Sequence, residues 1–136
     1  MGGRGRSGGS VHTLFDAVRY GTTDDFNTLL GKGLGIQARD DEGCTVLHIA
    51  AEEGKEDFLS FLLKLRYLDV NSRDRFGMTA LHRAIKKERS KEAKLLLSHG
   101  ADPNAVTLSK ISCLDMASHC KDPKVLLELK KALSSA

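Results

Sequence analysis

Residues 79–84 read Thr79-Ala80-Leu81-His82-Arg83-Ala84, and the same phrase stands earlier in the chain as Thr45-Val46-Leu47-His48-Ile49-Ala50. The two are 34 residues apart. A further step of 33 residues reaches Ser112-Cys113-Leu114-Asp115-Met116-Ala117, and a step of 33 back from Thr45 reaches His12-Thr13-Leu14-Phe15-Asp16-Ala17. All four phrases hold Leu in third place and Ala in sixth. Self-similarity at a fixed period of this length marks a repeat architecture.

The segments downstream of each phrase repeat as well. Phe26 to Leu30, Phe58 to Leu63, Ala93 to Leu97 and Val125 to Leu129 are apolar at helical spacing. Three of them run on into an amide, at Gln37, Asn71 and Asn104. Each repeat therefore reads as a short helix, a tight turn, a longer helix and a polar loop. A helix pair this short cannot bury its apolar face alone and must stack on its neighbours as a solenoid. The expected fold is all-α, eight helices in four antiparallel pairs with short hairpin-like loops. The repeats fall at about 10–42, 43–76, 77–109 and 110–136, behind a flexible Gly/Arg/Ser tail over 1–9. Leu47, Leu81, Leu114, Ala50 and Ala84 recur in phase and are expected at the repeat interfaces.

The Thr-x-Leu-His-x-Ala box, Ala50-Ala51-x-x-Gly54 and the run Leu96-Leu97-Ser98-His99-Gly100-Ala101-Asp102-Pro103-Asn104 resemble the ankyrin repeat. The resemblance covers about residues 10 to 133. It is tight in the second and third repeats and looser in the outer two, as solvent-facing caps require. It implies a binding surface made of loop tips and the exposed side of the first helices, with no catalysis and no cofactor.

Several local expectations follow. The threonines of the box cap the first helices, and Asp122-Pro123 opens the last helix. Gly21 and Gly54 suit a left-handed residue ending a first helix, as Gly33 and Gly100 do for second helices. Glu88 and Lys121 stand where the family has Gly, so those turns are strained or reshaped. Ser109-Lys110 replaces a residue plus Gly, so the fourth tip is expected to be distorted. Leu65 to Asp69 makes a loop longer by one residue, with Tyr67 covering the gap.

Composition excludes more than it suggests. The chain of 136 residues is 40% hydrophobic with a net charge of +3, too mild an excess to imply a polyanionic partner. Its longest apolar runs fall well short of the ~20 residues a membrane span needs, so no membrane partner is expected. Three cysteines without paired spacing fit a reduced chain in the cytoplasm or nucleus. Cys113, His119 and Cys120 are too few and too poorly spaced for zinc, which takes four ligands. The acidic group of Asp40, Asp41, Glu42, Glu52 and Glu53 reads as a solvated or partner-facing patch rather than acid–base machinery. No phosphate loop or nucleophile–base pair is present, so neither enzyme nor metal is expected.

The partner, expected to be another protein met by a monomer, would therefore touch tip residues Arg39, Asp41, Glu42 and Cys44, then Arg73, Arg75, Phe76 and Met78, then Val106, Leu108 and Ile111. From the first helices it would touch Arg19 and Tyr20, Glu52 and Glu53, Lys86 and Lys87, and His119 and Cys120. Repeat two offers acid and repeat three base. Phe76, before Gly77 at a tip, gains nothing from its own repeat's core, and an aromatic between arginines has the composition of an interface anchor. The alternative is a nucleic-acid-associated protein using Arg4, Arg6, Lys86, Lys87 and Arg89, which steep salt dependence would reveal.

Overall fold

The computed structural model describes residues 13–33, 35–65 and 68–134. Among them are eight helices: α1 (Leu14–Tyr20), α2 (Thr23–Gly31), α3 (Val46–Glu52), α4 (Glu56–Leu65), α5 (Ala80–Lys86), α6 (Ser90–Ser98), α7 (Cys113–Ser118) and α8 (Pro123–Ser134). Each short helix packs on the longer one that follows, and the short helices form a continuous inner row from α1 through α3 and α5 to α7. α4, α6 and α8 form the outer row. Strand pairing among the described residues is limited to one antiparallel bridge, Val106 with Ser112. Tyr67 and the tail with Arg4 and Arg6 lie outside the described residues.

The helix starts explain the box. α1, α2 and α7 open with capping boxes in which Thr13, Thr22 and Ser112 accept an amide and Asp16, Asp25 and Asp115 return the bond. In α3 and α5 a histidine fills the aspartate's place: His48 Nδ1 accepts the Thr45 N–H at 3.1 Å, and His82 Nδ1 that of Thr79 at 3.2 Å. A ring that accepts at Nδ1 carries its proton on Nε2. His48 Nε2 accordingly donates to the Met78 carbonyl of the next repeat at 2.9 Å. His82 Nε2 faces Cys113 Sγ, also one repeat on, at 3.6 Å. Burial lowers the pKa of both rings. They are neutral structural rivets.

Leu47, Ala50, Leu81 and Ala84 are buried between inner helices, Leu59, Leu62, Leu96 and Leu129 fill the outer row, and Phe26 of α2 is buried against α4. Burying each such large side chain stabilises the stack by ~1.5–3 kcal/mol. Phe26, Phe58 and Phe61 meet edge to face at 5.6–6.1 Å. Leu114 corrects the expectation of burial: it occupies the register of Leu47 and Leu81 but is 39% exposed. Its helix packs on α5 and α8.

The turns hold further corrections. Gly54 is left-handed at φ +71°, but Gly21 has φ −108° and is there for space. A Cβ on Gly21 would sit 2.6 Å from the Asp25 carboxylate. Glu88 is left-handed at φ +56°, and its carboxylate accepts the Asp122 N–H of repeat four at 2.8 Å, which offsets the strain. Lys121 is not left-handed, so its turn is reshaped. The fourth tip is not distorted: Lys110 takes φ +67°, close to the +79° and +78° of Gly43 and Gly77, at ~1–2 kcal/mol for a residue with a Cβ.

Candidate functional site

Each tip is built around one side chain. Asp40 Oδ1 accepts the N–H groups of Glu42 and Cys44, both at 2.9 Å. Asp74 Oδ1 does the same for Phe76 and Met78, also at 2.9 Å. Thr107 Oγ1 accepts the Ile111 N–H at 3.1 Å. Tip then joins tip through Arg75 N–H to the Glu42 carbonyl at 2.8 Å and Leu108 N–H to the Phe76 carbonyl at 3.1 Å. The side chains of the tip row are thereby presented in fixed order.

Several expected binding residues prove to be stacking residues. Arg39 donates to the carbonyls of Gly43 and Arg73 at 2.8 and 2.7 Å, and Arg73 to that of Val106 at 2.7 Å. Glu52 and Glu42 both pair with Arg83, at 2.9 and 3.2 Å. Met78 and Cys44 correct the expectation of exposure: Met78 is only 8% exposed and Cys44 is fully buried, because the aspartate that gathers the tip amides turns that side chain inward. Arg19 is half-buried on α1.

Much of the remaining expected surface is open. Asp41, Glu53, Lys86 and Lys87 are exposed, as are Tyr20 and Ile111, and Leu108 is 70% exposed. Phe76 is 47% exposed, with the Arg75 guanidinium 5.4 Å from its ring centre. A groove of about 440 Å³ runs between the tips and the inner helices of repeats three and four. Phe76, Ile111, Met116 and the Lys86 side chain line it, and Arg83 and Glu42 lie along it.

Arg83 is the residue the candidate list lacked. Its Nε and Nη2 donate to Asp74 Oδ2 at 2.9 and 2.6 Å, and both Arg83 and Asp74 are buried. Burial alone would raise the Asp74 carboxyl, but the guanidinium and the Met78 and Phe76 amides outweigh it and hold the pKa low. Burial alone would likewise lower that of Arg83, but Asp74 and Glu52 hold it high. The sequence signal was an arginine at the box position that holds Ile49 in repeat two and Met116 in repeat four.

Burial pushes the Cys44 and Cys113 thiols up to about 12 and raises that of Cys120, so none is a ready nucleophile. Cys113 faces His82, Cys120 donates to the Ile85 carbonyl at 3.2 Å, and His119 sits 2.8 Å from the Asp115 carbonyl. These three side chains point apart, and among the described residues no His/Cys/Asp/Glu group could hold a metal ion. Of the suggested nucleic-acid residues, Arg89 donates from Nε to the Glu52 carbonyl at 3.1 Å. No described helix is long and apolar enough to cross a membrane.

A family model of ankyrin repeats in three copies matches residues 14–107. The chain is 36% identical over 99 residues to delta-latroinsectotoxin-Lt1a of Latrodectus tredecimguttatus, covering 69% of this chain and 8% of the toxin. It is 32% identical over 123 residues to transient receptor potential cation channel subfamily A member 1 of Homo sapiens, covering 88% of this chain and 10% of the channel. With BTB/POZ domain-containing protein 1 of Schizosaccharomyces pombe it shares 45% identity over 74 residues, 54% of this chain and 6% of the relative. The chain thus spans a tenth or less of the length of these relatives.

Proposed function

The chain belongs to the ankyrin-repeat family, a module of protein–protein interaction, and on that premise we propose that it acts as a non-catalytic scaffold, adaptor or inhibitor docking one protein along its tips and inner helices. The observation that carries this reading is Phe76: a half-exposed aromatic over a groove, on a tip whose backbone is fixed by Asp74. Anchors of this kind cost 2 kcal/mol or more when truncated at an interface, on the order of a thirtyfold loss of affinity. We place the protein in the cytoplasm or nucleus, a reading supported by the free thiols of Cys44, Cys113 and Cys120.

The test compares Phe76→Ala with Leu127→Ala, a substitution at an exposed site on α8. Both variants should melt within a few degrees of the parent. Phe76→Ala should lose capture of the principal partner at least tenfold, while Leu127→Ala keeps it. Normal capture by Phe76→Ala would move the binding face elsewhere.

A further inference from the structure

The charge of the stack changes sign along its length. Residues 13–71 carry eleven acidic and six basic side chains, whereas residues 72–136 carry thirteen basic and seven acidic. The inner surface follows the same division. Asp41 and Glu53 are exposed on repeat two, Arg75, Lys86 and Lys87 on repeat three, and Lys110 on repeat four. The apolar groove of Phe76, Ile111 and Met116 lies in the basic part, with Glu42 of repeat two along it. Since Arg83 is held by Asp74, Glu52 and Glu42, Lys86 supplies the available cation in the groove's lining, while Arg75, over the Phe76 ring, and Lys110 are exposed on the adjoining tips.

We propose, building on the concave-surface reading above, that the occupant of this groove is an extended, dipolar peptide segment of a partner: an apolar side chain in the groove, a carboxylate beside it, and a basic residue one repeat away towards Asp41 and Glu53. Complementary charge fixes its polarity, because each end meets like charge if the segment is turned round. The spacing follows from two lengths. Packed helices lie ~8–10 Å apart, and an extended chain advances ~3.3 Å per residue, so about three residues separate the basic group from the apolar anchor. Such pairing acts mainly on register and choice of partner. The groove grips the apolar group, and the flanking charges decide which way the segment lies.

The probe is a set of capped nine-residue peptides, each with a central Leu. One carries Lys three positions before the Leu and Glu just after it. The others carry Glu at both places, Lys at both, or Gln at both. Each is titrated at low salt into the ¹⁵N-labelled full chain, with amide shifts as readout. The dipolar peptide should bind at least tenfold more tightly than any of the others and move the amides of Phe76 and Ile111. A nitroxide on its Glu end should broaden Lys86 and Lys110, and one on its Lys end Asp41 and Glu53. In the charge-swapped variant with Asp41→Lys, Glu53→Lys, Lys86→Glu and Lys87→Glu, the two labels should exchange places. Equal binding of all four peptides at Phe76 and Ile111 overturns the dipolar proposal while leaving the concave surface standing. Shifts confined to another face, or none at millimolar peptide, overturn both.

Discussion

The boxes of repeats three and four stand in the same register, share Leu in third place and Ala in sixth, and are used differently. In repeat three Leu81 is fully buried, His82 is a neutral rivet against the next repeat, and Arg83 gathers three carboxylates. In repeat four Leu114 is 39% exposed, Asp115 caps its own helix, and Met116 borders the groove. For the two leucines the difference is neighbours. A box residue acquires its energetic role from the helices that close over it, so the same letter is worth more where it is buried than where it is open.

The sharpest way to break the comparison is Arg83→Ala. It strands Asp74 without its cation in a buried place and should cost ~3–5 kcal/mol, the range for removing one partner of a buried pair. Met116→Ala, at the same register, should cost far less, and urea unfolding measures both. Comparable losses would mean that the ion cluster is no more than surface decoration. Next in size, Leu81→Ala should cost ~2–5 kcal/mol and Leu114→Ala less than ~1 kcal/mol, by the same measurement. Equal values would show that something covers Leu114 in solution.

Acid should act on the inner repeats first. Burial depresses the pKa of His48 and His82, so the unfolded chain binds protons that the folded chain refuses. Their contribution is intact above the ordinary histidine value of ~6.5 and is lost as pH falls below it. Between pH 7.5 and 5.5 the melting temperature should drop, and amides of α3 and α5 should lose exchange protection before those of α7. An order with α7 first would refute this. The smallest effect concerns the two left-handed side chains. Lys110→Gly should stabilise by about 1 kcal/mol through release of backbone strain. Glu88→Gly should be nearly neutral, because it also removes a hydrogen bond worth ~1 kcal/mol to Asp122. Equal gains from both would show that the Glu88 bond contributes nothing.

Much of this was legible in the sequence. The period placed every helix, because the box and the apolar halves carry both the phase and the helical spacing. The surface was legible only in part. Leu114 misled because periodicity says which residues are equivalent and not which of them a neighbouring helix covers. Met78 misled because its inward turn depends on Asp74 collecting tip amides, a bond pattern with no signature in the apolar rhythm. Arg83 stood out as a charge at an apolar position, but its partners lie 9, 31 and 41 residues away. No local reading assembles them.

The arginine bonds that run from one repeat to the next have a consequence for how such a chain changes over generations. Arg39 reaches a carbonyl 34 residues on and Arg73 one 33 residues on, so the same bond survives a period that differs by one residue. Duplicating or deleting the unit that runs from Arg73 would leave a bond of this kind at the seam. A deletion within a tip would remove the carbonyl from reach and open the seam. The stack is thus tolerant of large, in-phase edits and intolerant of small, out-of-phase ones, the reverse of an ordinary globular domain.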